Sequence, residues 1–184
     1  MTYEIVIAGF GGQGVLSMGK TIAYSGMMED KEVSWMPSYG PEQRGGTSNV
    51  TVIVSDEKVS SPVLNSYDIA ITLNQPSLDK FAPRVKKNGI LIYEPNGIHT
   101  ITDRKDINIY EVDATEIANA MGNDKLFNMI ILGGLLKLVP FVKYESVITG
   151  LKKSLPERHH KLIPLNEEAI KRGMEAIKLI HAAE

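Results

Sequence analysis

The 184 residues carry 22 acidic side chains against 20 lysines and arginines, a net charge of -2, with 43% apolar residues. That length suits one α/β domain with a buried core, and the near balance of charge excludes the strong basic field that binds nucleic acid. Cysteine is absent, which excludes disulfides, thiolate catalysis and cysteine-held iron–sulfur clusters on this chain. No apolar run is long enough to span a membrane, and the chain begins directly with a strand, so cytoplasmic residence is expected. The four histidines, His99, His159, His160 and His181, show no metal-ligand spacing with a carboxylate, and no metal is expected.

Tyr3-Glu-Ile-Val-Ile-Ala8 reads as a strand, Gly9-Phe-Gly-Gly-Gln-Gly14 as a glycine turn, and Val15 to about Met28 as a helix. Strand, glycine turn and helix open a doubly wound α/β sheet. Glycine admits positive φ and close approach of a ligand or backbone. The free N–H groups of the next helical turn favour an anion there, phosphate first.

Three readings of the loop compete. Gly9-x-Gly11-x-x-Gly14 fits the dinucleotide fingerprint, but that site needs an acid at the end of the second strand. Val33-Ser-Trp-Met36 reads as that strand and runs into Pro37-Ser38 with no acid. Gly14-x-x-x-x-Gly19-Lys20-Thr21 satisfies the P-loop pattern, but its residues lie in a helix already under way, not directly after a strand. The third reading is a tight turn that packs helix on sheet and binds nothing.

Met36 to Thr47 holds two prolines and three glycines beyond Met36, which forbids regular structure. Tyr39, Glu42, Gln43 and Arg44 in it are side chains able to bind or orient a group, and long ordered loops are more often functional than not. Ser48 to Val54 alternates as a strand. No helix separates it from Val33–Met36, and parallel neighbours need a crossover, so an antiparallel strand and a mixed sheet are expected.

Asp68–Leu73, Gly89–Tyr93 and Asp106–Val112 read as further strands, with Ser77 as N-cap of a short helix ending at Phe81. Continuous apolar strands between helices imply a sheet covered on both faces. Thr115–Ala120 reads as a short helix. Phe127–Leu138 reads as a helix apolar nearly all round, buried in its own core or against a partner. Gly133-Gly134 inside it costs about 1 kcal/mol per glycine and implies close approach by another backbone. Tyr144–Leu155 and Leu165 to about Ala182 read as amphipathic helices. His159-His160 reads as a solvated pair between them. The expected fold is a three-layer, Rossmann-like α/β domain over residues 1–184: a mixed, mostly parallel sheet with at least one antiparallel strand and helices on both faces.

Four segments carry a family resemblance: Gly9-Phe-Gly-Gly-Gln-Gly-Val15, Ser38-Tyr-Gly-Pro-Glu-Gln-Arg-Gly-Gly-Thr47, Asn128-Met-Ile-Ile-Leu-Gly133 and Ile163-Pro-Leu-Asn166. In these the chain resembles the γ subunit of the 2-oxoacid:ferredoxin oxidoreductases, the third domain of the fused pyruvate enzyme. The 2-oxoglutarate branch looks nearest, branched-chain 2-oxoacids next. The resemblance implies a complex that decarboxylates a 2-oxoacid on thiamine diphosphate, passes electrons through iron–sulfur clusters to ferredoxin, and gives the acyl group to coenzyme A. Thiamine diphosphate, magnesium and clusters then belong to α, β and possibly δ (ferredoxin-like) subunits, and the isolated chain is inactive. It also implies that Gly11, Gly12, Gln13 and Gly14 form one lip of a shared active-site and coenzyme A region. Tyr39, Gly40, Pro41, Glu42, Arg44, Gly45, Gly46 and Thr47 form the other. Arg44 is the candidate for a phosphate or carboxylate contact, since guanidinium binds such groups in two-pronged fashion. Glu42 would orient it or pair across an interface. Other readings stay open: loops that only dock neighbouring subunits, a structural subunit, or a free-standing nucleotide- or acyl-CoA-binding protein. Self-association of the isolated chain is a further expectation.

Overall fold

The computed structural model describes residues 1–39 and 47–184, with the backbone alone at Tyr39. In chain order the elements are β1 (Thr2–Phe10), α1 (Val15–Met27), β2 (Glu32–Tyr39), β3 (Thr47–Ser55), β4 (Tyr67–Thr72), α2 (Gln75–Phe81), β5 (Val85–Tyr93), β6 (Asn108–Glu111), α3 (Ala114–Ala120), α4 (Phe127–Leu138), α5 (Tyr144–Ser154), α6 (Ile163–Ala176) and β7 (Lys178–His181). The strands form one sheet in the order β2-β3-β1-β4-β5-β6-β7. β1, β4, β5 and β6 are parallel. β3 is antiparallel to β1 and β2, and β7 to β6. The short β2–β3 connection enforces a hairpin, because it leaves no room for a crossover.

β1 is buried from Ile5 to Gly9 because both faces of the sheet are covered. Ile5 and Ile7 pack with Val50, Val52, Ile69, Ile71 and residues of α1, α3, α4, α5 and α6 in the larger core. Val6 and Ala8 face the smaller one, closed by Leu78 and Phe81 of α2. The helices are therefore unequally shared, five against one.

The α4 glycines do bring a backbone close. A Cβ on Gly133 would overlap the carbonyl oxygen of Ile170, and one on Gly173 of α6 would overlap that of Ile130. α4 is thus buried in the chain's own core, between the sheet and α6.

Several local expectations are corrected. The last helix ends at Ala176, not near Ala182. Ile177 is extended, and Lys178–His181 form β7 along the otherwise free edge of β6. β2 continues through Pro37 to Tyr39, where irregular chain was expected. It is an edge strand, and an edge tolerates a residue without an N–H. Asn74, not Ser77, caps α2: its side chain accepts from the Ser77 N–H. Aspartate 113 likewise caps α3, and β6 is shorter than the predicted Asp106–Val112.

Candidate functional site

After β1 the chain turns into α1 on one face of the sheet, and after β4 into α2 on the other. The C-terminal ends of β1 and β4 therefore flank the switch point at which α/β sheets open a crevice. The Gln13 amide fills it. Its Oε1 accepts from the Phe10 N–H at 2.6 Å, and its Nε2 donates to the Leu73 carbonyl at 3.2 Å. A Cβ on Gly9 would stand 2.5 Å from that Oε1 and 3.0 Å from Leu73 Cβ, so a side chain there would displace the Gln13 amide.

Gly12 and Gly14 hold φ of +100° and +75°, the left-handed region that favours glycine. Gly14 is the N-cap of α1 and supplies no side-chain acceptor, and the first turn holds no acid. The Asn128 amide at the start of α4 packs over Gly14 and donates to its carbonyl at 3.4 Å. Among the described residues nothing accepts from the N–H groups of Val15, Leu16 and Ser17. The positive end of this helix is therefore free for an anion.

Topology and packing count against both the dinucleotide and the P-loop reading. β3 stands between β1 and β2, so β2 cannot present a ribose-binding acid beside the loop. The P-loop match lies within α1: Gly19 packs against Val50, and the buried Thr21 hydroxyl donates to the Ser17 carbonyl at 3.0 Å.

Thr47, the first residue of β3, is the register partner of Phe10, and Tyr39 ends β2 opposite Ser48. The ends of the second predicted lip thus stand beside the glycine loop on the same sheet edge. Gly40, Pro41, Glu42, Gln43, Arg44, Gly45 and Gly46 lie outside the described residues.

On the helical side of the loop lies a pocket of about 450 Å³, lined by Gly12, Gln13 and Gly14 and by Lys20, Lys125, Asn128, His159 and Asn166. The last five were not among the predicted site residues. Asn128 and Asn166 stood in two of the motifs that carry the family resemblance, and Lys20 in the P-loop match; those were the signals in the sequence for this convergence. The histidine pair divides its work. His160 Nε2 donates to the carbonyls of Lys152 and Leu155 at the end of α5, while His159 faces the pocket. Among the described residues no group of three or more histidines and acids is placed to hold a metal ion, and no helix is long and apolar enough to cross a membrane.

Beyond the pocket, at the ends of β5 and β6, the polar groups serve the fold. The buried Glu94 accepts from Asn96 at 2.9 Å and from the Thr115 N–H at 3.3 Å, fixing the start of α3. The Tyr93 hydroxyl donates to Glu111 at 2.7 Å. Burial, then that bond, push its pKa far above the usual value.

Fold and site together define a Rossmann-like α/β domain whose first helix presents an open N-terminus to a pocket. The pyruvate ferredoxin/flavodoxin oxidoreductase profile matches residues 4–176. The ketoisovalerate oxidoreductase subunit VorA of Methanothermobacter thermautotrophicus is 39% identical over 94% of this chain and 36% of its own length. The 2-oxoglutarate synthase subunit KorC of Methanocaldococcus jannaschii is 32% identical over 85% of this chain and 86% of its own. The keto/oxoacid ferredoxin oxidoreductase γ subunit of Geobacter sulfurreducens superposes with a TM-score of 0.83 at 27% identity, over 96% of both chains. The chain belongs to the pyruvate ferredoxin/flavodoxin oxidoreductase family. It spans little more than a third of the length of the VorA relatives.

Proposed function

We propose that this chain works as the γ component of a cytoplasmic 2-oxoacid:ferredoxin oxidoreductase of anaerobic metabolism. Its partners are subunits that carry thiamine diphosphate, magnesium and iron–sulfur clusters, and the complex uses coenzyme A. The observation that carries this reading is the family match along almost the whole chain. The described residues offer no cysteine and no cluster of metal-binding side chains, so the redox groups are assigned to the partners. Alone, the chain has no such activity.

Its own contribution is a wall of the coenzyme A region. Gly11, Gly12, Gln13 and Gly14 form one side, and the segment Tyr39, Gly40, Glu42, Arg44, Gly45, Gly46 and Thr47 the other. The Phe10–Thr47 pairing supports this, because it sets the two sides against each other at one sheet edge. Loop amides and the free N-terminus of α1 suit a phosphate group. The substrate is a 2-oxoacid, with 2-oxoglutarate first and a branched-chain 2-oxoacid next; relatives named for each of the two support the class.

The test is affinity purification of the tagged chain from its native cytoplasm, with a viologen-linked assay on several 2-oxoacids. Co-purifying thiamine- and cluster-bearing subunits, with turnover of one oxoacid, is the expected result. A chain recovered alone and without activity overturns the reading.

A further inference from the structure

Two asparagines in the chain are followed by glycine, in Asn88-Gly89 and Asn96-Gly97. That dipeptide carries its own chemistry. The glycine nitrogen, unshielded by a Cβ, can attack the carbonyl carbon of the asparagine side chain. A C–N bond forms, the Cγ–Nδ2 bond breaks, and ammonia leaves with the proton of the glycine N–H. Water then opens the succinimide ring at either carbonyl, giving aspartate or its β-linked isomer, isoaspartate.

Asn88 is exposed and holds a positive φ of 62°, which asparagine tolerates. It sits in a bulge of β5. Tyr67 and Ile69 of β4 pair with Val85 and Ile90, and pairing with β6 begins at Ile90, so residues 86–89 have no register partner on either side. Gly89 is kept by close quarters: a Cβ there would stand 2.7 Å from the Lys86 carbonyl oxygen and 2.9 Å from that of Asp68. The Asn88 N–H donates to the Asp106 carbonyl at 2.7 Å, and the Asn88 carbonyl accepts from Asn108 Nδ2 at 3.1 Å. Both bonds are to its backbone. Among the described residues nothing holds its side-chain amide. The Asn88–Gly89 peptide therefore lies outside both ladders, free to turn for ring closure at the cost of an exposed bond from Asn108.

Asn96-Gly97 is the built-in contrast. Asn96 is exposed too, but its Nδ2 donates to Glu94 Oε1 and to Asp113 Oδ1, each at 2.9 Å. The dipeptide lies in a 3-10 turn, with Gly97 packed against the Leu73 carbonyl. These bonds pin the amide, and the carboxylates oppose the negative charge that the Gly97 nitrogen takes on as it loses its proton. We propose that Asn88-Gly89, and not Asn96-Gly97, is a site of spontaneous deamidation and isoaspartate formation in the folded chain. Isoaspartate puts one more carbon into the backbone where Asn88 is tied to Asp106, and either product adds a negative charge beside that tie. The modification therefore loosens the β5–β6 connection as the protein ages.

The test is incubation of the folded full-length chain in mildly alkaline buffer, with a parallel sample in urea, followed by peptide mass mapping. Deamidation raises a peptide's mass by the difference between an amide and an acid, and isoaspartate resists cleavage by endoproteinase Asp-N. In the folded chain the Asn88 peptide is expected to convert about ten-fold or more faster than the Asn96 peptide, since freeing Asn96 gives up charge-assisted bonds. In urea the two should convert at similar rates. Asn88→Gly keeps the positive φ and removes the reacting amide, so the mass gain of the folded chain should vanish. Asn96 keeping pace with Asn88 in the folded chain overturns the proposal. So does an unconverted Asn88 over a time in which urea converts both pairs, or a mass gain that survives in Asn88→Gly. Each outcome is read on the chain alone and is independent of whether it enters a complex.

Discussion

Gly133 of α4 lies directly under the carbonyl oxygen of Ile170 in α6, leaving no space for even a methyl group. The contact is repeated in reverse by Gly173 under the carbonyl of Ile130. Two helix backbones thus touch through paired glycines, and this lets α6 lie close enough to complete the larger core with Ala169 and Ile170.

Gly133→Ala should therefore destabilise the protein although alanine is the better helix former. The propensity gain is about 1 kcal/mol, and forcing apart packed backbones costs about 3 kcal/mol, so a net loss of about 2 kcal/mol is expected in urea denaturation. Gly134→Ala is the control. Its Cβ would meet side-chain atoms, Val112 Cγ2 at 2.7 Å and Ile177 Cδ1 at 3.2 Å, which can rotate away. Equal losses in the two variants would refute the backbone-contact account.

Arg104 gives a second prediction. Its guanidinium grips Asp106 through Nε at 2.9 Å and Nη2 at 2.6 Å, and Nη1 donates to the carbonyls of Ala82 at 3.0 Å and Val85 at 2.6 Å. One planar group thus joins the β5–β6 connection to the end of α2. Lysine keeps the charge but not the fork. Arg104→Lys should cost about 1–2 kcal/mol from the abandoned carbonyls and speed amide exchange in residues 98–106. Unchanged exchange there would remove Arg104 as the tie.

What the sequence discloses depends on whether the deciding contact is local. α4 was legible to the residue, because Phe127–Leu138 is apolar nearly all round, interrupted only by Asn128, Lys137 and the two glycines, and is too long for a strand. The β2–β3 hairpin was legible because the connection is too short for anything else. β7 was not. Ile177, Leu179 and Ile180 continue the amphipathic spacing of α6, and only the free edge of β6, distant in sequence, turns them into a strand. The site divides the same way. The glycine spacing marks the loop, but the Gln13 brace needs Leu73 at the end of another strand. Lys20 and Lys125 look like ordinary surface lysines until α1 packs beside α4.

Asp56 carries a pH prediction. Its Oδ1 lies 2.6 Å from Lys31 Nζ and its Oδ2 2.7 Å from the Met1 amino group. The Lys31 hydrogen bond, then that of the amino group, lower its pKa from 3.8 to about 2. A carboxyl depressed by folding contributes stability above its unfolded pKa and loses it as pH falls through the folded value. The contribution is therefore complete above about pH 4 and gone below about pH 2. Asp56→Asn should be slightly less stable than the parent at neutral pH and equal to it at the acid end. Salt should shrink the neutral difference, because the pair is exposed. A difference that persisted at the acid end would mean that packing, not charge, is at work.

Gln13→Ala tests the brace that shapes the loop. The change strands the Phe10 N–H and the Leu73 carbonyl but exposes both to water, so the global cost should be modest, about 1 kcal/mol. The local effect should be larger. With the amide gone, Gly11 and Gly12 are free to leave the conformation that closes the switch-point crevice, and amide exchange at Phe10 should accelerate well beyond the global change. On the proposed reading, in which this loop walls the coenzyme A region of the complex, the same variant should raise the KM for coenzyme A more than it lowers kcat, since a loosened loop weakens binding before it touches chemistry. Gln13→Glu is the sharper comparison. Its carboxylate can still accept from Phe10 N–H but sets a negative charge against the Leu73 carbonyl, beside the uncapped first turn of α1. It should therefore raise that KM further than alanine does. A glutamate variant that bound coenzyme A as well as the parent would show that this loop carries no phosphate contact.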